Sequence, residues 1–185
     1  MNLYLRLLHL LTLGRRRPAV PSIWEPVRTP FRVWPNDLDL NGHMNNGRYL
    51  TLLDLGRIDL MLRSNTWKKA MDAGWFAVVA GQEITYRRSL QPFQKFDVVT
   101  RMHGHDGKNV LVAQDFVVGD TVHATAMVKC RWLHRSGGSV TMAELAEVIG
   151  EFPPTFVDVT ADVTVDVTAD VTAEAPAAVA ATDAA

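Results

Sequence analysis

"WPNDLDLNGHMNNGRYLTLLDLGRIDLMLRS", residues 34–64, changes character halfway along. Its first part crowds Asp37, Asp39, His43, Asn41, Asn45 and Asn46 around Gly42 and Gly47, and Asn41 with Gly42 permits a sharp turn into left-handed conformation. Its second part places Tyr49, Leu52, Leu53, Gly56 and Leu60 at spacings of three and four, the mark of a helix that buries one face. The helix is expected over Asn46 to Arg63, with Asn45 or Asn46 as N-cap. Gly56 costs helix stability, so its expected use is close approach of another backbone. Asp59 and Arg63 form an i, i+4 pair expected at the surface, and Asp54 has Arg57 as an i, i+3 partner.

Outward from this segment the pattern is simple. Before it, residues 18–30 hold Pro18, Pro21, Pro26 and Pro30 and read as an extended linker, followed by a short strand "FRVW". After it, "FAVVAGQEITYRRSL", "FDVVTRMHGH", "NVLVAQDFVVGD" and "TVHATAMVKCRWLHR" alternate with period two and read as four strands, with turns at "QPFQ", "HDGK" and "GD". Short turns make the last three antiparallel neighbours. "TMAELAEVIG" is an amphipathic helix with Thr141 and Glu144 at capping-box spacing. One strand, a long apolar helix and four long strands describe an α+β domain whose sheet needs that helix to cover a face.

The 185 residues, 48% hydrophobic and 21% charged, suffice for one globular domain with a substantial core. A single cysteine, Cys130, excludes an intrachain disulfide and fits a reducing, cytoplasmic compartment; in a strand it reads as a small core residue. Residues 157–185 carry five Asp and one Glu with no Lys or Arg, which leaves the rest of a chain of net charge -1 at +5. This tail repeats Asp-Val-Thr-Ala, has no Leu, Ile or aromatic residue after Phe156, and is expected to stay outside the fold. The start, "MNLYLRLLHLLTLGRRRP", would make a helix of about 20 Å to Leu13, too short for the roughly 30 Å hydrocarbon core. Two readings of it stay open: a helix in a membrane interface with Arg15, Arg16 and Arg17 at anionic headgroups, or one packed on its own domain or a dimer partner. The segments are thus an apolar and basic helix at 1–17, a linker at 18–30, the domain at 31–152 and an acidic tail at 153–185.

Several chemistries lack their signatures. No serine sits in a G-x-S-x-G elbow, and "HGHDGKN" lacks the first glycine and the Ser/Thr of a phosphate-binding loop. His103 and His105 flank a hairpin turn with no evident third ligand, so no metal is expected. The polar turn before the helix has two readings. Caps and Asx turns account for such residues without any chemistry. Alternatively, a carboxylate beside a helix N-terminus, where free amides and the helix dipole favour an oxyanion, suits attack on a carbonyl. A thioester is an apt target, because its thiolate, from a thiol of pKa about 8.5, leaves readily.

"NDLDLNGHMNNGRYLTLLDLGR" resembles the hot-dog acyl-CoA thioesterases of the 4-hydroxybenzoyl-CoA thioesterase type, in which Asp-x-Asp is followed by Gly-His-x-Asn-Asn, a Tyr three residues later and a helix with a further acid. The likeness covers about residues 28–150 and is specific at Asp39, Gly42, His43, Asn45, Asn46 and Tyr49; the leucine-rich start matches a branch with a short N-terminal apolar helix. The resemblance implies a hot-dog fold, an antiparallel sheet wrapped around one long central helix. It implies a catalytic carboxylate at Asp39, a carbonyl-polarising main-chain amide at Asn46, and a water-assisting role at His43 and Asn41. Asn41, Asn45 and Tyr49 are carried over as substrate-binding positions; Arg87 and Arg88, expected on opposite faces of their strand, read either as placing one guanidinium at coenzyme A phosphates or as a pair of solvated strand-edge arginines. Coenzyme A enters as part of the substrate, with no separate cofactor. The partners implied are an acyl-CoA or acyl-carrier-protein thioester and a homodimer or dimer of dimers that extends the sheet, with no nucleic acid. Two other functions compete: a hot-dog dehydratase or hydratase using His43 with Asp39, and a non-catalytic or membrane-associated acyl-binding protein.

Overall fold

The computed structural model describes residues 3–12, 17–154 and 156–158. The long helix, α2, runs Asn46–Arg63 as its periodicity predicts, and Asn45 is its N-cap. It lies on a sheet of strands β1 (Val27–Arg32), β2 (Trp75–Tyr86), β3 (Lys95–His105), β4 (Val110–Val118) and β5 (Thr121–His134), in the order β1-β3-β4-β5-β2. Every neighbouring pair along that path is antiparallel. A two-residue strand β6, Val157–Asp158, pairs in parallel with β3.

The alternation of the strands explains which face α2 covers. Phe96, Val98 and Thr100 of β3, Val110, Val112, Gln114 and Phe116 of β4, and Ala124, Ala126 and Val128 of β5 are all buried. Register sets Val98 opposite Phe116, Thr100 opposite Gln114 and Val112 opposite Val128, so these side chains form one floor. Leu52, Leu53, Leu55 and Leu60 of α2 pack into the same core. Gly56 is where helix and sheet come closest: a Cβ there would stand 2.8 Å from Thr100 Oγ1 and 2.9 Å from Gln114 Nε2. The close approach expected of Gly56 is therefore to sheet side chains rather than to another backbone. Gln114, fully buried, is satisfied by donating from Nε2 to Leu53 O (3.0 Å) and Thr100 Oγ1 (2.9 Å) and by accepting at Oε1 from Arg57 Nη1 (2.6 Å).

Helices α3 (Thr66–Asp72) and α4 (Met142–Ile149) complete the fold. The capping box of α4 is formed, with Glu144 N donating to Thr141 Oγ1 (3.2 Å) and Thr141 N donating to Glu144 Oε2 (2.8 Å). The short α3 lacks enough periodic residues to announce itself.

Four expectations are corrected. Strand β1 starts at Val27, inside the segment read as linker, and stops at Arg32, before Val33 and Trp34; Pro30 is compatible with it because β1 is an edge strand. Asp59 is not at the surface. It is 1% exposed, accepting from Thr29 Oγ1 (2.8 Å) and Arg17 Nη1 (2.9 Å), with Arg63 Nη1 at 4.0 Å. The chain after residue 152 is not excluded from the fold, because buried Phe156 packs on Trp24, Phe152 and His105 and leads into β6. Residues 159–185, most of the acidic tail, lie outside the described residues. Finally β2 ends at Tyr86, so Arg87 and Arg88 do not alternate along it: both amides donate to the single carbonyl of His123 (2.9 and 3.0 Å).

The N-terminal helix α1, Leu3–Thr12, packs on its own domain. Arg6 and Leu10 are buried, and Leu3 and Leu7 pack against the core, while Tyr4, Leu5, Leu8 and Leu11 are exposed. No described helix is long and apolar enough to cross a membrane. Of the basic cluster, Arg17 turns inward to Asp59, and Arg15 and Arg16 lie outside the described residues.

Candidate active site

The segment before α2 is folded by its own short polar side chains. Trp34 leads into a 3-10 turn at Pro35–Asp37, and Leu38 and Met44 then form an isolated antiparallel bridge, so residues 39–43 are a tight loop. Gly42 takes φ +74° at its tip, the left-handed conformation the sequence predicts. Asp39 closes the loop: its N donates to His43 O (2.9 Å), its carbonyl accepts from Gly42 N (3.1 Å), and its Oδ1 accepts from Asn41 N (2.9 Å) and His43 N (3.3 Å). The other carboxylate oxygen, Oδ2, takes no hydrogen bond from the described residues. All bonds between Asp39 and His43 run through the histidine main chain; the imidazole does not bond the carboxylate.

Asp37, two residues earlier, has the opposite setting. It is fully buried. Its Oδ1 accepts from Arg48 Nε (3.1 Å) and its Oδ2 from Trp34 N (2.9 Å) and from Arg6 Nη2 of α1. Its carbonyl accepts from Asn45 N (2.8 Å), which sets the start of α2 against the 3-10 turn.

At the helix N-terminus, Asn45 Oδ1 accepts from Gly47 N (2.9 Å) and Asn45 O from Arg48 N (2.9 Å). The Asn46 amide takes no partner among the described residues and lies at the positive end of the helix dipole. Tyr86 Oη donates to Asn46 O (3.3 Å), bringing the end of β2, with exposed Arg87 and Arg88, beside this amide. Burial pushes the Tyr86 phenol above its ordinary value, so it keeps its donating proton.

Tyr49 is not at the loop surface. It is 2% exposed, stacked among Tyr86 and Phe116, with burial raising its phenol as well. Its Oη accepts from Leu90 N (3.3 Å), and Leu90 O accepts from Met44 N (3.0 Å), so it anchors the returning limb of the loop through Leu90. The structure thus gathers Asp39, Asn41, His43, Asn45 and Asn46 on one loop and helix start, places Arg87 and Arg88 nearby, and puts Tyr49 beneath them.

A cavity of about 480 Å³ lies between the later half of α2, α3 and the sheet. Leu55, Ile58 and Met61 of α2, Trp67 and Met71 of α3, Phe76 to Val79 of β2, and Cys130 and Trp132 of β5 line it, with Asp54 and Arg57 as its polar rim and Leu3 and Leu7 of α1 as part of its wall. The Asp54–Arg57 ion pair expected from spacing is formed. Burial raises the Cys130 thiol, in keeping with a core residue. One signal was present: Gln114, a lone amide inside the apolar run "NVLVAQDFVV", marks the buried polar network behind this rim. His103 and His105 do not assemble a centre; among the described residues no group of three or more His, Cys, Asp or Glu is placed to hold a metal.

The arrangement, one helix packed on an antiparallel sheet with a polar loop at the helix N-terminus, is that of hot-dog thioesterases. Solved structures agree: a probable thioesterase from Bartonella henselae (TM-score 0.57, 23% identity, covering 64% of this chain and 99% of that one) and YbaW, a probable thioesterase from Escherichia coli (0.60, 21%, 66% and 98%). Likeness at these identities speaks for the fold. The sequence model of the Thioesterase-like superfamily matches residues 33–181, and the chain belongs to that family. Among curated proteins, Protein THEM6 of Xenopus laevis is 36% identical over 116 residues, 62% of this chain and 56% of that protein; Protein THEM6 of Drosophila melanogaster is 28% identical over 115 residues, 61% and 55%. The chain spans about half the length of these curated relatives.

Proposed function

We propose that this chain hydrolyses acyl thioesters of coenzyme A or of an acyl-carrier protein. The observation that supports this reading is the pairing, on one loop and helix start, of a carboxylate oxygen, Asp39 Oδ2, and a helix-start amide, Asn46 N–H, neither of which has a hydrogen-bond partner among the described residues. In the reaction, Asp39 either takes a proton from a water that attacks the acyl carbon, or attacks that carbon itself to form an acyl anhydride that water then hydrolyses; in both, the carbonyl oxygen gains charge against Asn46 N–H, the C–S bond breaks, and the thiolate leaves and takes up a proton released by the water. Asn41 and His43 border the carboxylate and order the water. The dehydratase alternative needs an imidazole working with the carboxylate on a carbon-bound proton, and the lack of an Asp39–imidazole bond speaks against it.

The apolar cavity, of a size usual for small-molecule sites, takes the acyl group. Its α2 residues, Asp54 to Met61, lie about 12 to 22 Å along the helix from Asn46. One chain therefore supplies the loop at one end of α2 and the acyl chamber toward the other, and a second copy brings the two together. Strand β2 suits that assembly: it is an edge strand of 12 residues with Phe76, Val78 and Val79 exposed, open to pairing with another β2. Arg87 and Arg88 take the phosphates of coenzyme A. The exposed Tyr4, Leu5, Leu8 and Leu11 of α1 offer an apolar strip to a membrane surface.

The test is thiol release by purified protein across short, medium, long and aromatic acyl-CoA esters, with Asp39→Asn in parallel. Hydrolysis lost in Asp39→Asn at unchanged melting temperature is the expected result. No thiol release from any ester, or equal rates in both proteins, would refute the assignment.

A further inference from the structure

Helix α1 carries a charge on its packed face. Arg6 is the one Arg or Lys in "LYLRLLHLLT", yet it is 5% exposed, while Tyr4, Leu5, Leu8 and Leu11 face out. Burying a guanidinium is costly unless it is paired and hydrogen-bonded. Here it is both: Nη2 donates to Asp37 and to Arg32 O (3.2 Å). Leu3, Leu7 and Leu10 supply the apolar contacts of α1, and Arg6 lies on the same inward face, where apolar packing alone gives no reason for a charge.

The partner chosen matters more than the pairing. Asp37 fixes three pieces of backbone at once: its own 3-10 turn through Trp34 N, the first turn of α2 through Arg48, and the N-cap through its carbonyl on Asn45 N. Asp39 follows two residues later, and Asn46 follows the N-cap directly. The distance between the Asp39 carboxylate and the Asn46 amide is thus set by how firmly Asp37 is held. Arg48, the other cation on Asp37, is 29% exposed, so Arg6 is the fully enclosed half of the clamp. Helix α1 lies outside residues 33–181, the stretch matched by the Thioesterase-like superfamily, whereas Asp37 lies within it.

We propose that Arg6 is a positioning residue of the active site: by pairing with buried Asp37 it holds the Asp39 loop and the start of α2 in register, making α1 part of the catalytic apparatus rather than a detachable leader. The proposal rests on the thioesterase reading of Asp39. Replacing Arg6 by Met keeps the length and apolar stem but frees Asp37 on one side. The loop then samples misplaced geometries, and misplacement on the order of 1 Å costs up to about a hundredfold in rate.

The experiment uses the full chain and two readouts, at a temperature where wild type and variants are folded. Amide hydrogen exchange at Asn41, His43 and Asn45 reports loop order whether or not catalysis occurs. Thiol release from the best acyl-CoA ester reports turnover, with Asp39→Asn as reference. In Arg6→Met the expected results are exchange faster by about tenfold or more at those amides and kcat lower by about ten- to a hundredfold, with KM within about twofold; Arg6→Lys recovers most of both. If Arg6→Met does not fold, Arg6→Gln takes its place with the same expectations. Unchanged exchange overturns the inference. So does faster exchange with unchanged kcat when Asp39→Asn is inactive, since Arg6 would then be a staple for α1 alone. If Asp39→Asn is as active as wild type, the thioesterase reading of Asp39 fails first, and the catalytic role of Arg6 falls with it.

Discussion

Asp37 and Asp39 are the same residue two positions apart, and the fold treats them as different chemical groups. Asp37 is sealed from water and spends both oxygens on Arg6, Arg48 and Trp34 N. Asp39 spends one oxygen on the amides of its own loop and keeps the other open. A carboxylate sealed from water and tied to two arginines organises backbone but lies out of reach of a substrate. One that is oriented by two amides, with an oxygen left over, is fixed in place and still reactive. In Asp-x-Asp the first acid builds the loop that the second uses.

The largest effect expected from breaking this contrast is on rate. Asp39→Asn keeps size and the loop hydrogen bonds at Oδ1 while removing the charge, so turnover should fall by about 10²- to 10⁴-fold with thermal stability nearly unchanged. Steady-state thiol release and a melting curve on the same preparation check it; a melting temperature that drops with the rate would show that Asp39, too, is structural.

The reverse pattern is expected at Asp37. From the sequence alone, Asp37→Asn looks like a mild control at a turn. The structure changes that expectation, because the substitution leaves Arg6 buried without its counter-charge, and removing one partner of a buried pair costs about 3–5 kcal/mol. Denaturant titration should show this loss, mainly as a lower midpoint. Any loss of kcat in the folded protein should be smaller than for Asp39→Asn, since the carboxylate that acts is still present. A variant as stable as wild type would mean that Arg6 is accommodated without a counter-charge, through its bond to Arg32 O or by turning to water.

Gly56→Ala sharpens the comparison by lowering stability away from both aspartates. Its Cβ would meet Thr100 Oγ1, Gln114 Nε2 and Val98 Cγ1 at 2.8 to 3.0 Å, so helix and sheet must part. Overpacking of this kind costs about 1–3 kcal/mol. With kcat per folded molecule retained, it would show that lost stability by itself does not imitate loss of Asp39.

What the sequence disclosed follows from how local each cause is. Helix α2 and the antiparallel β3, β4 and β5 were legible because periodicity and short turns are local signals, and Asn45 and Gly42 because caps and left-handed turns demand particular residues. The different fates of Asp37 and Asp39 were not legible, since Arg6 lies 31 residues from Asp37 and only the folded chain brings them together. Asp59 was misplaced to the surface for the same reason, its partners Thr29 and Arg17 being remote. Tyr49 matched a motif, but the motif does not say that its hydroxyl is spent on Leu90. The make-up of the cavity was out of reach of pattern reading, since its lining is drawn from α1, α2, α3 and four strands.

The smallest expected effect falls between the two aspartates' territories, at Asn45. Its backbone amide belongs to the Asp37 side, donating to Asp37 O, and its side chain belongs to the Asn46 side, taking up Gly47 N–H. Asn45→Ala keeps the first link and deletes the second. The lost cap should cost about 1 kcal/mol, a fall of roughly 2–4 °C in melting temperature for a chain of this size. Gly47 N–H is then released next to Asn46 N–H, so a second donor points at the place where the carbonyl oxygen is proposed to sit. If the oxyanion is held by Asn46 alone, kcat should move by less than about threefold, because the original donor stays on a helix still anchored through Asp37. A drop as large as that of Asp39→Asn would show instead that the cap, rather than the Asp37 clamp, sets the geometry of the amide, and would shift the positioning role from α1 to the helix's own first turn.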